Sequence, residues 1–416
     1  MRRIYTLLIV WTLLEGMGTA PALAQNARSM AMAGAYGALA RGVESVAWNP
    51  ANLGLMLSPG FSMEFPSIWV HLGNSSFGLS DYNRYNGAFL SEGDKQALLE
   101  KIPEQGFTLN MLSNANAIGF SISRFAFSAR VRAASDISIA KDIFDLLLNG
   151  NEFGRRYDFS ETDGGAWAYL DLAASYAQPI YLEYFHDFSI GMTFHWLRGL
   201  GFAEVLSAEG TLTTDLNGAY GNGNADFRVA RAGNGISFDV GAAAIKNNYT
   251  IGVVLKNLFG RIGWNQDITL YSIGILSDTL TVERLSNEDP DSLITDFSEE
   301  KPGDPFTASL PLQLQVSGAM ELSAFRLSLQ WTQAFQRAPG ISTSPAVAFG
   351  AEYYGIGFLP LRLGFAVGGA QKFVTAMGLG LRLGTFSLNM AVQSGRALVP
   401  GMGTGIGLSI DMNIGL

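Results

Sequence analysis

No cysteine occurs among the 416 residues, which excludes disulfides, thiolate metal sites and a lipid anchor attached through cysteine. Charged residues make up only 15%, and just three histidines are present, His71, His186 and His195. None of them is set beside a serine or an acidic residue in a recognisable nucleophilic pattern. The sequence therefore predicts no enzyme, no metal site and no cofactor. A net charge of −9 argues against nucleic acid as a partner. Long apolar runs are also lacking. After residue 25 no stretch approaches the ~18 uninterrupted apolar residues that a membrane helix needs.

Yet 48% of the residues are hydrophobic and the mean hydropathy is +0.18. The apolar residues alternate with polar ones. Ile406, Leu408, Ile410, Met412 and Ile414 share one face, with Gly407, Ser409, Asp411 and Asn413 on the other. Leu310 to Val316 and Phe325 to Trp331 repeat the pattern, which is that of a strand with one apolar face. A chain of this kind crosses a bilayer only as strands closed into a barrel, because lipid offers no partner to an unpaired backbone group. Strand-like runs number 12 to 16 from residue 60 onward, and bacterial single-chain barrels have an even count. The sequence thus predicts an all-β fold, a transmembrane antiparallel β-barrel of about 14 strands with an N-terminal plug or hatch. Long connections are expected near 80–105, 135–165, 215–233 and 278–306, with helical turns over Asp94 to Lys101 and Lys141 to Leu148.

Arg2 and Arg3 precede an apolar run from Leu7 to Leu14, and Ala22-Leu23-Ala24 offers a cleavage site before Gln25. Residues 1–24 read as a signal peptide, 25–57 as a plug-like segment without alternation, and 58–416 as the barrel. The address is the Gram-negative outer membrane, with outer-membrane lipid as one partner.

Glycine, at 49 residues, gathers on the less apolar strand face: Gly119, Ser121 and Ser123; Ser189, Gly191 and Thr193; Ser237, Asp239 and Gly241; Gly378, Gly380 and Gly384. A face meeting bulk water would carry many Lys and Glu, so this one is assigned to a narrow, plugged lumen and the apolar face to lipid. Charges on the lumen face are few and mixed: Arg130, Arg132, Asp171, His195, Asp239, Lys256, Arg326, Glu352, Arg362, Arg382 and Asp411. Paired, they fix the plug and the barrel shape. A sharper reading has Arg326, Arg362 and Arg382 holding an anionic head group such as a carboxylate, with Glu352 and Asp411 in the same set. Trp69, Trp167, Trp196, Trp264 and Trp331 are expected in an interfacial belt.

Two motifs are set aside. Gly401 to Gly407 is glycine-rich but runs into a strand and brings no lysine, so it does not cradle phosphate. The acidic stretch 283–304, with Glu283, Glu288, Asp289, Asp291, Asp296, Glu299, Glu300 and Asp304, reads as a solvated loop without regular calcium-ligand spacing.

The N-terminal element is more specific. Ala27 to Ala40 is a small-residue run, followed by Val46-Ala47-Trp48-Asn49-Pro50-Ala51-Asn52-Leu53. Together they resemble the opening of the long-chain fatty-acid transporter superfamily of outer-membrane barrels, which has a Gly-rich start and an Asn-Pro-Ala-Gly-Leu-like motif. That superfamily includes the shuttle barrel of the type IX secretion system of Bacteroidetes. Gly191 to Phe194, Gly233 to Ala242 and Pro360 to Phe365 are similar to strand signatures of an uncharacterised Bacteroidetes-type branch. Asn52 stands where the motif has glycine, and Leu416 where many outer-membrane proteins have an aromatic residue. The resemblance implies a 14-stranded barrel with a plug built around Trp48, Asn49, Pro50, Ala51, Asn52 and Leu53. It also implies a channel or transporter for small hydrophobic or amphipathic molecules. The alternative is a non-conducting structural or secretion-associated barrel that binds other envelope proteins.

Overall fold

The computed structural model describes residues 26–281, 294–369, 372–397 and 402–416. The expected signal peptide and cleavage site lie outside the described residues, as do Gly401 and the acidic residues Glu283, Glu288, Asp289 and Asp291.

Alternating sequence gives strands throughout: β1 (Phe61–Glu64), β2 (Ser67–Asn74), β3 (Phe107–Ile122), β4 (Phe125–Ile139), β5 (Arg156–Asp158), β6 (Asp163–Pro179) and β7 (Asp187–Asp215). There follow β8 (Gly218–Ala230), β9 (Ala232–Lys246), β10 (Tyr249–Gln266), β11 (Thr269–Leu280), β12 (Ile294–Pro302), β13 (Phe306–Ser309) and β14 (Gln313–Leu322). The last six are β15 (Phe325–Ala334), β16 (Ala346–Tyr353), β17 (Leu361–Gly368), β18 (Lys372–Leu383), β19 (Phe386–Gly395) and β20 (Gly405–Gly415). β1 and β2 form one interrupted strand, broken at Pro66, which has no N–H to give to a ladder. β13 and β14 likewise make one strand, broken around Pro311.

Counted so, the wall is a closed antiparallel barrel of 14 strands. Neighbours pair in the order β3, β4, β6, β7, β9, β10, β13/β14, then β15 to β20 in sequence. β20 returns to β1 and β2, which pair with β3. Closure leaves no unpaired edge.

The two ends differ. One carries tight turns, as at Ser123-Arg124, Asn247-Asn248 and Ser323-Ala324. At the other, β7 runs on beyond the wall and, with β5, β8, β11 and β12, builds an antiparallel extension of the same sheet. The long connections at that end carry helices at Leu79–Tyr85, Glu92–Lys101 and Lys141–Asn149. Among the described residues no helix is long and apolar enough to cross a membrane.

Two sequence expectations change. Residues 215–233 and part of 278–306, expected as loops, hold β8 and β12. Both are solvated on two sides, so neither carries the apolar face that marks a wall strand. Ser123 and Gly384 sit in hairpin turns at positive φ of 52° and 63°, not on the lumen face.

Side chains sort as the barrel requires. On β7, Ile190, Met192, Phe194 and Trp196 are exposed on the outer face, while Ser189, Thr193 and His195 between them are buried. The same holds for Ile251, Val253 and Leu255 against Thr250, Val254 and Lys256 on β10. The outer wall is thus a continuous apolar surface, far beyond the few hundred Å² that a water-soluble monomer exposes. The packed core lies inside.

Candidate functional site

Residues 26–55 fill the end of the lumen nearest the tight turns, and nearly all of them are buried. None belongs to a wall strand. A short helix, Ala27–Ala31, opens the segment. Asn26 caps it, with the Ser29 N–H donating to Asn26 Oδ1 at 2.9 Å and the Ser29 hydroxyl donating to Asn26 O at 2.9 Å. Two 3₁₀ turns follow at Gly42–Ala47 and Pro50–Gly54. The fixed φ of Pro50 suits the first helical position, and the Ala51 N–H donates to Asn49 Oδ1 at 3.1 Å as the cap.

The Trp48–Leu53 motif docks on the wall through small residues. Asn49 Nδ2 donates to the carbonyls of Ala242 (3.0 Å) and Val253 (3.3 Å) on β9 and β10. A Cβ at Gly241 would collide with the Asn49 carboxamide, and one at Gly191 with the backbone of Pro50 and Ala51. Glycine is needed at both because the segment's backbone lies directly against the strand. Asn52 folds the segment on itself, its Nδ2 donating to Gly37 O at 2.8 Å and Ala40 O at 3.0 Å. Trp48 is buried edge-to-face against Tyr36, with centroids 5.8 Å apart.

The wall charges form two polar groups around the segment. In the first, the fully buried Glu352 receives Arg362 Nη2 at 3.4 Å, Arg382 Nη2 at 3.0 Å and, from the segment, Arg28 Nη2 at 3.7 Å. Arg28 also pairs with Glu44 at 3.1 Å, and Tyr36 OH donates to Glu44 at 2.7 Å. Burial works against the Arg28 guanidinium, but the carboxylates of Glu44 and Glu352 hold its pKa above the ordinary value. Arg362 Nη1 donates to Asn389 Oδ1 at 2.9 Å, Asn389 Nδ2 to Asp411 Oδ1 at 2.7 Å, and the Ala27 N–H to Asp411 Oδ2 at 2.6 Å. Glu352, Arg362, Arg382 and Asp411 are therefore brought together, and each already has a partner. Arg326 is not joined to them by contact: it pairs with Glu321 at 3.0 Å and lies over the Tyr354 ring.

The second group sits deeper. His195 Nδ1 is 2.8 Å from Asp171, and its Nε2 is 3.4 Å from Asp239. Arg132 pairs with Asp171 at 3.3 Å, and Lys256 Nζ donates to Ala47 O at 2.6 Å. Asn116 Nδ2 donates to Glu64 at 2.6 Å. The buried Arg130 guanidinium has no hydrogen-bond partner among the described residues. This arrangement comes from seven strands, so no local motif announced it. Among the described residues no group of three His, Cys, Asp or Glu side chains is placed to hold a metal ion.

Toward the long loops the lumen lining turns apolar. Leu112, Trp167, Tyr169, Leu197, Phe202, Ile262, Trp264 and Leu310 form one buried cluster with Trp69, and Ala27, Met30 and Ala31 of the segment pack into it. Phe202 stacks near Trp264 (5.4 Å) and Phe306 (5.0 Å). Here the sequence expectation fails for three of five: Trp69, Trp167 and Trp264 are inside the barrel, while Trp196 is exposed on the outer face and Trp331 lies half-buried on it. Strand alternation places a tryptophan on a face but does not say which face an isolated one occupies.

Residues 55–233 match the model of a family of unknown function (DUF5723). No curated protein sequence matches the chain. Among solved structures, a Pseudomonas aeruginosa FadL homologue superposes with a TM-score of 0.53 at 13% identity, covering 94% of this chain and 97% of that one. The Pseudomonas putida toluene transporter TodX gives 0.51 at 10%, covering 93% and 98%. The Ralstonia pickettii toluene transporter TbuX gives 0.50 at 13%, also covering 93% and 98%. At these identities the likeness is one of fold.

Proposed function

We propose that the chain is an outer-membrane transporter of small apolar molecules whose lumen is closed by a hatch, residues 26–57, and opens when the hatch shifts. The observation that carries this reading is the division of the lumen. An aromatic and aliphatic lining suited to an apolar solute occupies the long-loop end, and a side-chain-tethered segment, its Met30 packed against that lining, stops the other end. A wall held rigid for purely structural reasons needs no aromatic-lined interior of this kind. The apolar outer wall supports placement in a bilayer. The long-loop end then faces outward and the tight turns face the periplasm, the usual asymmetry of bacterial barrels. Sharing a fold with toluene transporters favours an aromatic or aliphatic cargo over a charged one. The Glu352 cluster acts in this reading as a latch, since its arginines are already neutralised and none is left to hold a carboxylate.

Proteoliposomes carrying the full chain should take up a radiolabelled aromatic hydrocarbon faster than empty vesicles, with no gain for a sugar of similar size. Deleting residues 26–53 should raise leakage of both. Equal uptake with and without the protein would contradict the proposal. Stoichiometric co-purification of an envelope protein with a non-conducting barrel would favour the partner-binding alternative.

A further inference from the structure

On the outer wall near the long-loop end, a groove of about 380 Å³ is lined by Trp196, Asn234, Ile236, Arg261, Gly263 and Thr307. Register explains its shape. Arg198 lies opposite Asn234, which lies opposite Gly263, which lies opposite Thr307. One residue pair nearer the tight turns, Trp196, Ile236, Arg261 and Ser309 form the adjoining row. All these positions face outward, and Gly263, having no side chain, leaves the floor open.

The groove marks a boundary. Nearer the tight turns the outer face of the same strands is apolar, with Ile190, Met192 and Phe194 on β7, Val240 on β9 and Val253 and Leu255 on β10. Arg198 and Arg261 are the first cations above that band, beside an exposed tryptophan, where an aromatic ring sits at head-group level. Their α-carbons are separated by two strand spacings and one residue pair, on the order of 10 Å, so both guanidiniums reach one group of phosphate size. Among the described residues neither arginine has a carboxylate partner. Arg198 Nη1 donates to the Asn234 carboxamide at 3.0 Å, and Arg261 has no hydrogen bond or ion pair among the described residues.

We infer that this groove binds the phosphorylated head group of an outer-leaflet lipid, with Arg198 and Arg261 on the phosphate, Asn234 and Thr307 as further polar contacts, and Trp196 and Ile236 against the first acyl carbons. A planar guanidinium gives a phosphate two parallel N–H bonds, and two of them at the rim of an apolar band match an anion carried on hydrocarbon. The inference rests on the bilayer placement argued above.

The test uses the full chain purified in a neutral detergent, and native mass spectrometry with two probes: lipid A bearing its phosphates, and the same lipid dephosphorylated. The wild type should retain the phosphorylated form roughly tenfold better. Arg198→Gln/Arg261→Gln should remove that preference while still retaining the dephosphorylated lipid and shifting on heat-dependent gels, and Arg261→Lys should restore part of it. Equal retention of the two lipids by the wild type would overturn the inference. So would a preference that survives the double substitution, or displacement of the lipid by millimolar inorganic phosphate, which would mark a free-anion site. Failure of the bilayer placement itself would look different, as a protein that stays monodisperse without detergent and retains neither lipid.

Discussion

The backbone N–H of Ala27 donates to Asp411 Oδ2 at 2.6 Å, tying the start of the lumen segment to the last strand of the wall. The contact spans nearly the whole chain, so this tie needs both of its ends in place. The segment's other ties are of the same kind, made by side chains and not by a strand ladder. Such a segment is separable from the wall, which makes its behaviour testable by substitution.

Glu352→Gln leaves Arg28, Arg362 and Arg382 in the lumen without their shared carboxylate. Stranding buried cations costs about 3 kcal/mol or more. The loss should fall on the segment, with protease cleavage within 26–57 accelerating while the barrel keeps its fast, unboiled gel mobility. Unchanged protection would mean that the cluster does not hold the segment.

Asn49→Ala removes a cap and two bonds to the wall. Together these amount to about 1–3 kcal/mol, read as a lower urea midpoint for exposure of the segment. Gly241→Val should act more strongly, because its side chain would enter the space of Asn49 while suiting the strand itself. Both variants should leak small solutes.

Val253 faces outward at 42% exposure in the middle of the apolar wall. Val253→Arg should cost about 2–4 kcal/mol of folding stability in phospholipid vesicles. Thr385→Arg, exposed in the tight turn between β18 and β19, should stay within about 0.5 kcal/mol. Urea titration of vesicle-inserted protein measures both. A small effect at Val253 would contradict contact with hydrocarbon.

Trp264→Ala opens the aromatic cluster. If this lining contacts an apolar cargo, losing one ring weakens retention a few-fold, from about 0.5–1.5 kcal/mol of ring–ring interaction. Equilibrium binding of an aromatic hydrocarbon should show it, with no change in sugar permeation.

Much of the wall was legible because one physical pattern writes it. Where one strand face meets an apolar medium and the other a narrow interior, alternation follows, as from Ile406 to Ile414. β8 and β12 were not legible, since water on both faces leaves no such imprint. The inward charges could be placed by parity, but not their pairing. Arg326 and Glu352 are register neighbours, yet Arg326 turns to Glu321 at the hairpin end, while Arg28, far away in sequence, takes a place at Glu352. The importance of Asn49 was visible in its motif. The role of Asn52 became clear only from the carbonyls of Gly37 and Ala40 that it joins.

The absence of cysteine allows a direct test of whether the segment must move. A Cβ at Gly37 would lie 3.2 Å from the Ser317 Cβ on β14, a few tenths of an ångström inside the disulfide range of roughly 3.5–4.5 Å, and 2.7 Å from the Gln330 carboxamide oxygen, whose flexible side chain must turn aside. In Gly37→Cys/Ser317→Cys, oxidation should stop uptake of an aromatic hydrocarbon into proteoliposomes, and a reductant should restore it to the rate of the unlinked protein. Uptake unaffected by the cross-link would contradict a gating hatch.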